Sequence, residues 1–399
     1  MPQQHSRGRI IAAITALAVG TFGIGTTEFA TMGLLPNIAE AFSTSITHAG
    51  SAVTLYALGV VIGAPIITAV GAKLNRKMLL VVLAGIFTLG NVAVAAAPSL
   101  PALLAVRFFT GLPHGAYFGL AAVAAAGIVQ EGRRARAMAA VGLGLTVAAI
   151  LGVPAATAVG SHLDWRLAYL LIAAIGAVTV VAILVIVPAV QPTVPPSVRG
   201  EVRSLANPQV ILTLLAGAVG FGGMFAVYTY IAPVVTDLAH LPQGAVPWIL
   251  VTYGAGMTVG QVVAGPLADA SIERGAVTGA SLMGSSLVVF AFTAHLPVLL
   301  FLCVFTLGIS GSVFVTALQM RLLRDSQDAP NLSAAMNHAA FNTANAAGAW
   351  LGGIVLAAGY GLRSPAIVGI GLNVVGLALL LIAIALHRRS RASRQVLSL

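Results

Sequence analysis

Twelve apolar runs, each near the roughly 20 residues needed to cross about 30 Å of hydrocarbon, dominate this chain. They fall at about 10 to 35, 49 to 71, 78 to 97, 100 to 128, 136 to 160 and 166 to 189, then at about 209 to 235, 246 to 268, 275 to 294, 297 to 322, 332 to 358 and 364 to 386. Only 8% of the 399 residues are charged and the mean hydropathy is +1.00, whereas roughly a quarter of the residues in soluble proteins are charged. A soluble enzyme is therefore excluded. Barrel strands would alternate apolar and polar over about ten residues; these runs are continuous and rich in Leu, Ala, Val and Gly. The chain is expected to be an all-α membrane protein with twelve transmembrane helices in two six-helix pseudo-repeats.

The distribution of bases sets the orientation. Of 20 Lys and Arg, 17 flank the runs on one side, among them Arg7, Arg9, Lys73, Arg76, Lys77, Arg133, Arg134, Arg136, Arg199, Arg203, Arg274, Arg321, Arg324 and a basic C-terminal group. Arg166 and Arg363 lie opposite, and Arg107 falls within a run. The excess of positive charge on the inside predicts cytoplasmic termini and a multi-pass protein of the bacterial cytoplasmic (inner) membrane. The first run is too long for a cleaved signal and is expected to be retained. Because these bases come in small groups rather than on one soluble face, no nucleic-acid partner is expected despite the net charge of +10. Cys303 is the single cysteine, which excludes an intrachain disulfide and suits a small core residue.

The long connection at 191 to 208 contains Pro192, Pro195, Pro196 and Pro208, which oppose a helix, and Arg199, Glu201 and Arg203, which keep it wet. It is expected to be a cytoplasmic linker between a half at 1–190 and a half at 209–399. No GxxxxGK[ST] phosphate loop occurs, so ATP-driven pumping by this chain is not expected. Sliding the second half on the first by 197 residues matches Pro36 with Pro233, Tyr56 with Tyr253, Gly59 with Gly256, Gly63 with Gly260 and Gly111 with Gly308. A six-helix unit repeated in parallel points to a two-lobed secondary transporter with its substrate site between the halves, and the matched glycines let helix backbones approach closely.

Residues Thr26 to Phe42 spell TTEFATMGLLPNIAEAF. After helix 2, Lys73, Arg76 and Lys77 form a degenerate copy of a GxLADRxGRR element, and its second copy keeps Gly265, Pro266, Leu267, Ala268 and Asp269. Helix 4 carries Arg107, Gly111 and Gly115 in an RxxxGxxxG pattern; helix 5 carries Gly152, Val153 and Pro154. Across essentially the whole chain these elements resemble the major facilitator superfamily. The likeness is greatest to its twelve-helix drug:proton antiporter branch, near the arabinose-efflux and chloramphenicol-resistance-like exporters. That resemblance implies conformational roles for Gly63, Gly111, Gly152, Pro154, Gly260 and Asp269, and an association of Arg107 with proton handling.

Glu28 is the one acidic residue well inside a run, about 12 Å before Pro36 at 1.5 Å per residue. An ionisable group there costs at least about 2.5 kcal/mol, so it must be protonated, paired or set in a wet cavity. Arg107 lies about 10 Å into helix 4, at similar depth. A neighbouring cation favours the carboxylate and burial the neutral acid, which together let a carboxyl exchange its proton between two access states; a packing Glu and an Arg clamped to helix carbonyls are the structural alternatives. His114 is a further titratable group in helix 4. At the matching second-half positions stand Phe225 and Val304, so the first half is expected to handle protons and the second to contact substrate. Candidate contacts are Tyr228, Tyr230, Asn337, His338, Asn342 and Asn345, with Tyr56, since polar groups at such depth must face protein or a wet cavity. No metal-ligand pair lies in the runs, no nucleophile sits beside a base and orienter, and no cofactor is expected. The expected function is proton-coupled export of small, partly apolar compounds by a monomer whose partners are substrate, protons and the bilayer. The alternatives are efflux of a sugar or other metabolite, passive facilitation, and a non-transporting membrane sensor.

Overall fold

The computed structural model describes residues 6–71, 74–188, 207–325 and 330–397. Among them every regular element is a helix. We number the membrane helices α1 (Arg7–Gly33), α2 (Ile46–Gly71), α3 (Arg76–Ala95), α4 (Leu100–Gly127), α5 (starting with Arg134–Val147 and ending with Val153–His162), α6 (Trp165–Ile186), α7 (starting with Pro208–Gly220), α8 (Val246–Ala270), α9 (Ile272–Thr293), α10 (Pro297–Asp325), α11 (Pro330–Ala357) and α12 (Ser364–Leu397). Ten of them are long and apolar enough to cross a membrane. The other two expected spans, α4 and α11, are unbroken helices of 28 residues each. They are also the helices that carry Arg107, His114, Asn337, His338 and Asn342, which dilute their hydropathy. Ala72, Lys73 and the expected linker as far as residue 206 lie outside the described residues, Arg199, Glu201 and Arg203 among them.

Prolines interrupt the helices in a repeated way. α1 ends at Leu34 and resumes as Leu35–Ala41; α7 runs through Gly222–Thr229, stops at Tyr230 and resumes at Ile231–Pro233. Each break lies just before one of the matched pair Pro36 and Pro233, whose missing N–H cannot close the preceding turn. The expectation of continuous helices at 10 to 35 and 209 to 235 is corrected accordingly. α5 carries a wide turn at Ala148–Gly152, where the N–H of Val153 reaches back to the carbonyl of Ala148. Pro154, next along, has no N–H to offer Ile150, and the ladder slips by one residue.

The bundle is held by close helix pairs: α2 lies along α4 and α11, α8 along α10 and the second part of α5, and α10 along α9. Outward faces present large apolar side chains such as Ile66, Leu89, Val185, Val262 and Val298, as a lipid solvent requires. Where the repeat matched glycines, backbone meets backbone. A Cβ on Gly63 would fall on the carbonyl oxygen of Leu112 in α4, and one on Gly59 on that of Phe108. In the second half, a Cβ on Gly260 would lie 2.6 Å from the carbonyl oxygen of Ile309 in α10, and one on Gly256 would fall on that of Phe305. Gly111 and Gly308 face the carbonyls of Tyr56 and Tyr253 in return. Gly63→Leu is therefore expected to push α2 off α4, at an overpacking cost of about 1–3 kcal/mol or more, and to impair transport more than membrane insertion. Transport activity normalised to inserted protein checks this; wild-type transport by both Gly63→Leu and Gly260→Leu would show that the contacts have no packing role.

One assignment of charge is corrected. Arg321 was expected with the loop bases, leaving Arg107 as the sole base inside a span, but Arg321 belongs to α10 and its side chain is fully buried. Its Nε donates to Thr213 Oγ1 at 3.0 Å and its Nη2 to Gln209 Oε1 at 2.7 Å, both on α7. Asp325 and Glu273 stand 3.8 and 4.0 Å away, and Arg324 binds both at 2.9 and 2.7 Å. Two arginines and two carboxylates thus tie the basic ends of α7, α9 and α10 together.

Candidate functional site

A buried polar cluster grows from α1, α2 and α4. Glu28 on α1 is 6% exposed, and its Oε2 lies 3.8 Å from Nε2 of His114. The other ring nitrogen of His114, Nδ1, is 3.1 Å from the Tyr56 hydroxyl of α2. Tyr56 also forms a floor for Arg107, whose guanidinium carbon stands 4.1 Å over its ring centre; the close α2–α4 approach permitted by Gly59 and Gly111 brings these side chains into register. Sequence spacing does the rest, since Arg107 and His114 are seven residues apart, about two helical turns, and so share one face of α4.

Arg107 is completely buried yet forms no ion pair with a carboxylate among the described residues. Its Nε donates to the Ala52 carbonyl and its Nη1 to Thr27 Oγ1, each at 3.3 Å, while Thr27 in turn donates to Asn91 Oδ1 at 2.7 Å. Nη2 has no partner among the described residues. The cation is thus held to neutral groups beside Glu28. Thr27, Asn91, Tyr56 and Tyr169, whose ring lies 5.9 Å from the Arg107 guanidinium, complete its surroundings. Asn91 was missed in the sequence, although an amide inside an apolar run is the same signal that marked α11.

From α11 come Asn337, His338, Asn342 and Asn345. Asn345 approaches Glu28, is fully buried, and leaves both amide atoms without hydrogen bonds. Asn342 donates to the His338 carbonyl at 3.1 Å and leaves its own oxygen unpaired. His338 keeps partial exposure, with its ring centre 6.3 Å from that of His114 and 5.1 Å from that of Phe118. Asn337 is buried.

An aromatic group caps this cluster. Tyr228 of α7 lies against Tyr253 of α8 at 4.3 Å between ring centres, and Phe29 of α1 touches Phe225, Tyr228 and Tyr253 at 6.4, 5.9 and 6.4 Å. Phe225, the repeat counterpart of Glu28, therefore packs on that glutamate's neighbour. Phe29 and Tyr253 had no sequence signal beyond the Tyr56–Tyr253 match. Tyr230 is turned elsewhere: its hydroxyl donates to the Ala349 carbonyl at 2.8 Å and its ring packs against Gly50 and Gly352. Gly152 faces Thr26 and the Phe22 ring on α1, Pro154 sits just beyond the wide turn of α5, and Asp269 is exposed at the end of α8. These three stand apart from the cluster.

Residues 17–246 match a family model described as Major Facilitator Superfamily. Inner membrane transport protein YdhP of Escherichia coli (strain K12) is 39% identical over 382 residues, covering 94% of this chain and 96% of the relative. A chloramphenicol resistance protein of Streptomyces lividans is 31% identical, covering 83% of this chain and 86% of its own. Among solved structures, a bacterial homolog to the human lysosomal transporter Spinster, in inward-facing and occupied conformation, superposes with a TM-score of 0.72 at 13% identity over 96% of this chain and 98% of that one.

Proposed function

The chain belongs to the major facilitator superfamily, and on that premise we propose that this multi-pass inner-membrane transporter is a proton-coupled exporter of small, partly apolar compounds. The observation that carries the reading is Glu28: a lone carboxyl buried between α1, α4 and α11, 3.8 Å from an imidazole and beside a cation that forms no ion pair with it. A permanently ionised packing group would be expected to close on that cation, whereas a group that alternates between acid and carboxylate must be left free to do so. In this reading Glu28 carries the transported proton, Arg107 supports its ionised form, and His114 exchanges protons with it. Substrate occupies the space beside Asn345 and Asn342 and under the aromatic group of Tyr228. Both termini face the cytoplasm, and the halves at 1–190 and 209–399, joined by 191–208, rock about the site as in two-lobed transporters. Gly63, Gly111 and Gly260 keep the helices of each half together during that motion. The name of the chloramphenicol-resistance relative supports an exporter of partly apolar compounds. Efflux of a sugar or related metabolite is the second reading, favoured by the unpaired oxygen of Asn342 and the buried amide of Asn345 beside Glu28, which suit hydroxyl-rich cargo.

A thermal-shift screen of purified protein against chloramphenicol, other neutral drugs, sugars and nucleosides tests the reading, because a compound that binds the folded state raises its apparent stability. We expect a partly apolar drug to shift the transition and to release protons from the detergent-purified protein as it binds. A sugar that does so selects the second reading, and binding without proton release eliminates proton coupling.

A further inference from the structure

Three titratable side chains descend through the bundle toward the basic side. Glu28 lies 21 residues from Arg7, the basic-side start of α1, His114 lies 13 from Gly127 at the same side of α4, and His338 lies eight from Pro330 at the start of α11. Along their helices the three points of attachment therefore follow one another from the outer side to the basic side. The side chains lean toward one another across these levels and come close, with 3.8 Å from Glu28 Oε2 to His114 Nε2 and 6.3 Å between the two imidazole centres. Phe118 flanks both rings, at 5.2 and 5.1 Å, and walls this line with hydrocarbon. Of the three, His338 alone keeps partial exposure. The charged and titratable groups facing these rings are Glu28 from α1, Tyr56 from α2 and Arg107 from α4.

We propose that His338 is the inward proton acceptor of this site, linking Glu28 through His114 to the cytoplasmic side. The inference rests on the reading of Glu28 as the proton carrier and extends it. In the step, the O–H bond at Glu28 Oε2 breaks as an N–H bond forms at His114 Nε2, leaving a carboxylate and an imidazolium whose Nδ1–H is held by the Tyr56 hydroxyl. The imidazolium returns to neutral by passing one proton, through a single bridging water, to a ring nitrogen of His338. His338 gives it up to water on the basic side, so one proton has moved and both histidines are unchanged. Because His338 rides on α11 and His114 on α4, the link exists only while these helices stand together. That makes inward release conditional on the conformation of the bundle.

The test needs no substrate. After a rapid upward pH jump on the purified full-length protein, infrared difference spectroscopy follows the C=O stretch of protonated Glu28, the band assigned by its loss in Glu28→Gln. His338→Gln is expected to slow decay of that band by at least about tenfold without changing its end point, as removal of a proton-transferring group does, and added imidazole is expected to restore the rate. A structural role for His338 would not respond to imidazole. Decay at the wild-type rate in His338→Gln, or slow decay that imidazole leaves unchanged, overturns the proposal. If no band is lost in Glu28→Gln, Glu28 does not hold the proton and the underlying reading falls with it. A wild-type rate in His114→Gln alone would show that the route bypasses the middle ring, and that too overturns the line as drawn.

Discussion

Glu28→Gln is expected to abolish uphill export while leaving substrate exchange intact. Glutamine keeps the size and neutral polarity of the protonated acid but has no proton to release, so the step that links an imposed pH gradient to outward movement is lost. Counterflow needs only binding and the rocking of the halves, and glutamine preserves the neutral surroundings of Asn345 and His114 for both. In proteoliposomes with an imposed pH gradient, accumulation against a concentration gradient should fall to the background of empty vesicles, with counterflow at a measurable fraction of wild type. A mutant that still exports uphill in response to pH would remove Glu28 as the coupling group and leave His114 as the next candidate. Loss of both activities would instead mark Glu28 as part of the substrate site or of the packing.

The largest stability effect is expected at Arg321, at the opposite end of the bundle from the aromatic group. Its side chain is fully buried, with two hydrogen bonds to α7 and two carboxylates within 4.0 Å. Arg321→Ala leaves Gln209 and Thr213 without their donor and Asp325 facing one arginine in place of two. Removing one partner from a buried ionic group typically costs about 3–5 kcal/mol. Glu273 keeps about a quarter of its side-chain surface exposed, and water there moderates the loss, so the lower end of that range is expected. The checking measurement is thermal unfolding in detergent, followed by size-exclusion fluorescence. Arg321→Lys should fall between the two, since it keeps the charge but not the planar fork that serves α7 and α10 at once. An Arg321→Ala transition at the wild-type temperature would mean that Arg324 alone satisfies both carboxylates.

Much of the architecture was legible because hydrocarbon is a strict solvent: it demands long apolar runs and places bases on one side, and both patterns can be counted along the chain. The close helix pairs were legible too, through glycines repeated at one offset, since only a missing Cβ allows a carbonyl to sit where Leu112 or Ile309 sits. Glu28, Arg107 and His114 stood out for a related reason, being ionisable where ionisation is expensive. What the sequence hid were relations between helices. Nothing in a linear reading joins Tyr56 to Arg107 and His114, or Thr27 to Asn91, whose amide inside an apolar run was its one mark. Arg321 was misread because a base four residues from a helix end looks like a loop base until α7 and α9 are seen to close over it. The breaks at Leu34 and Tyr230 were signalled by Pro36 and Pro233, but apolar content alone drew those segments as continuous.

At one place the two halves meet without any side chain between them: a Cβ on Gly254 of α8 would lie 2.6 Å from the carbonyl of Ala149, inside the wide turn of α5. Interlocked side chains must leave their rotamers before two surfaces can turn, and that resistance is spread over many contacts. A bare backbone contact has no such teeth. If the halves rock as proposed, this point can serve as the fulcrum, turning with little work while the long arms on either side sweep through larger arcs. The Arg321 network at the basic end would then travel farther than the ring of Phe29, which lies against Tyr253 beside this bearing, so the barrier to a transport cycle would be set at the tips of the lever and hardly at all at its bearing.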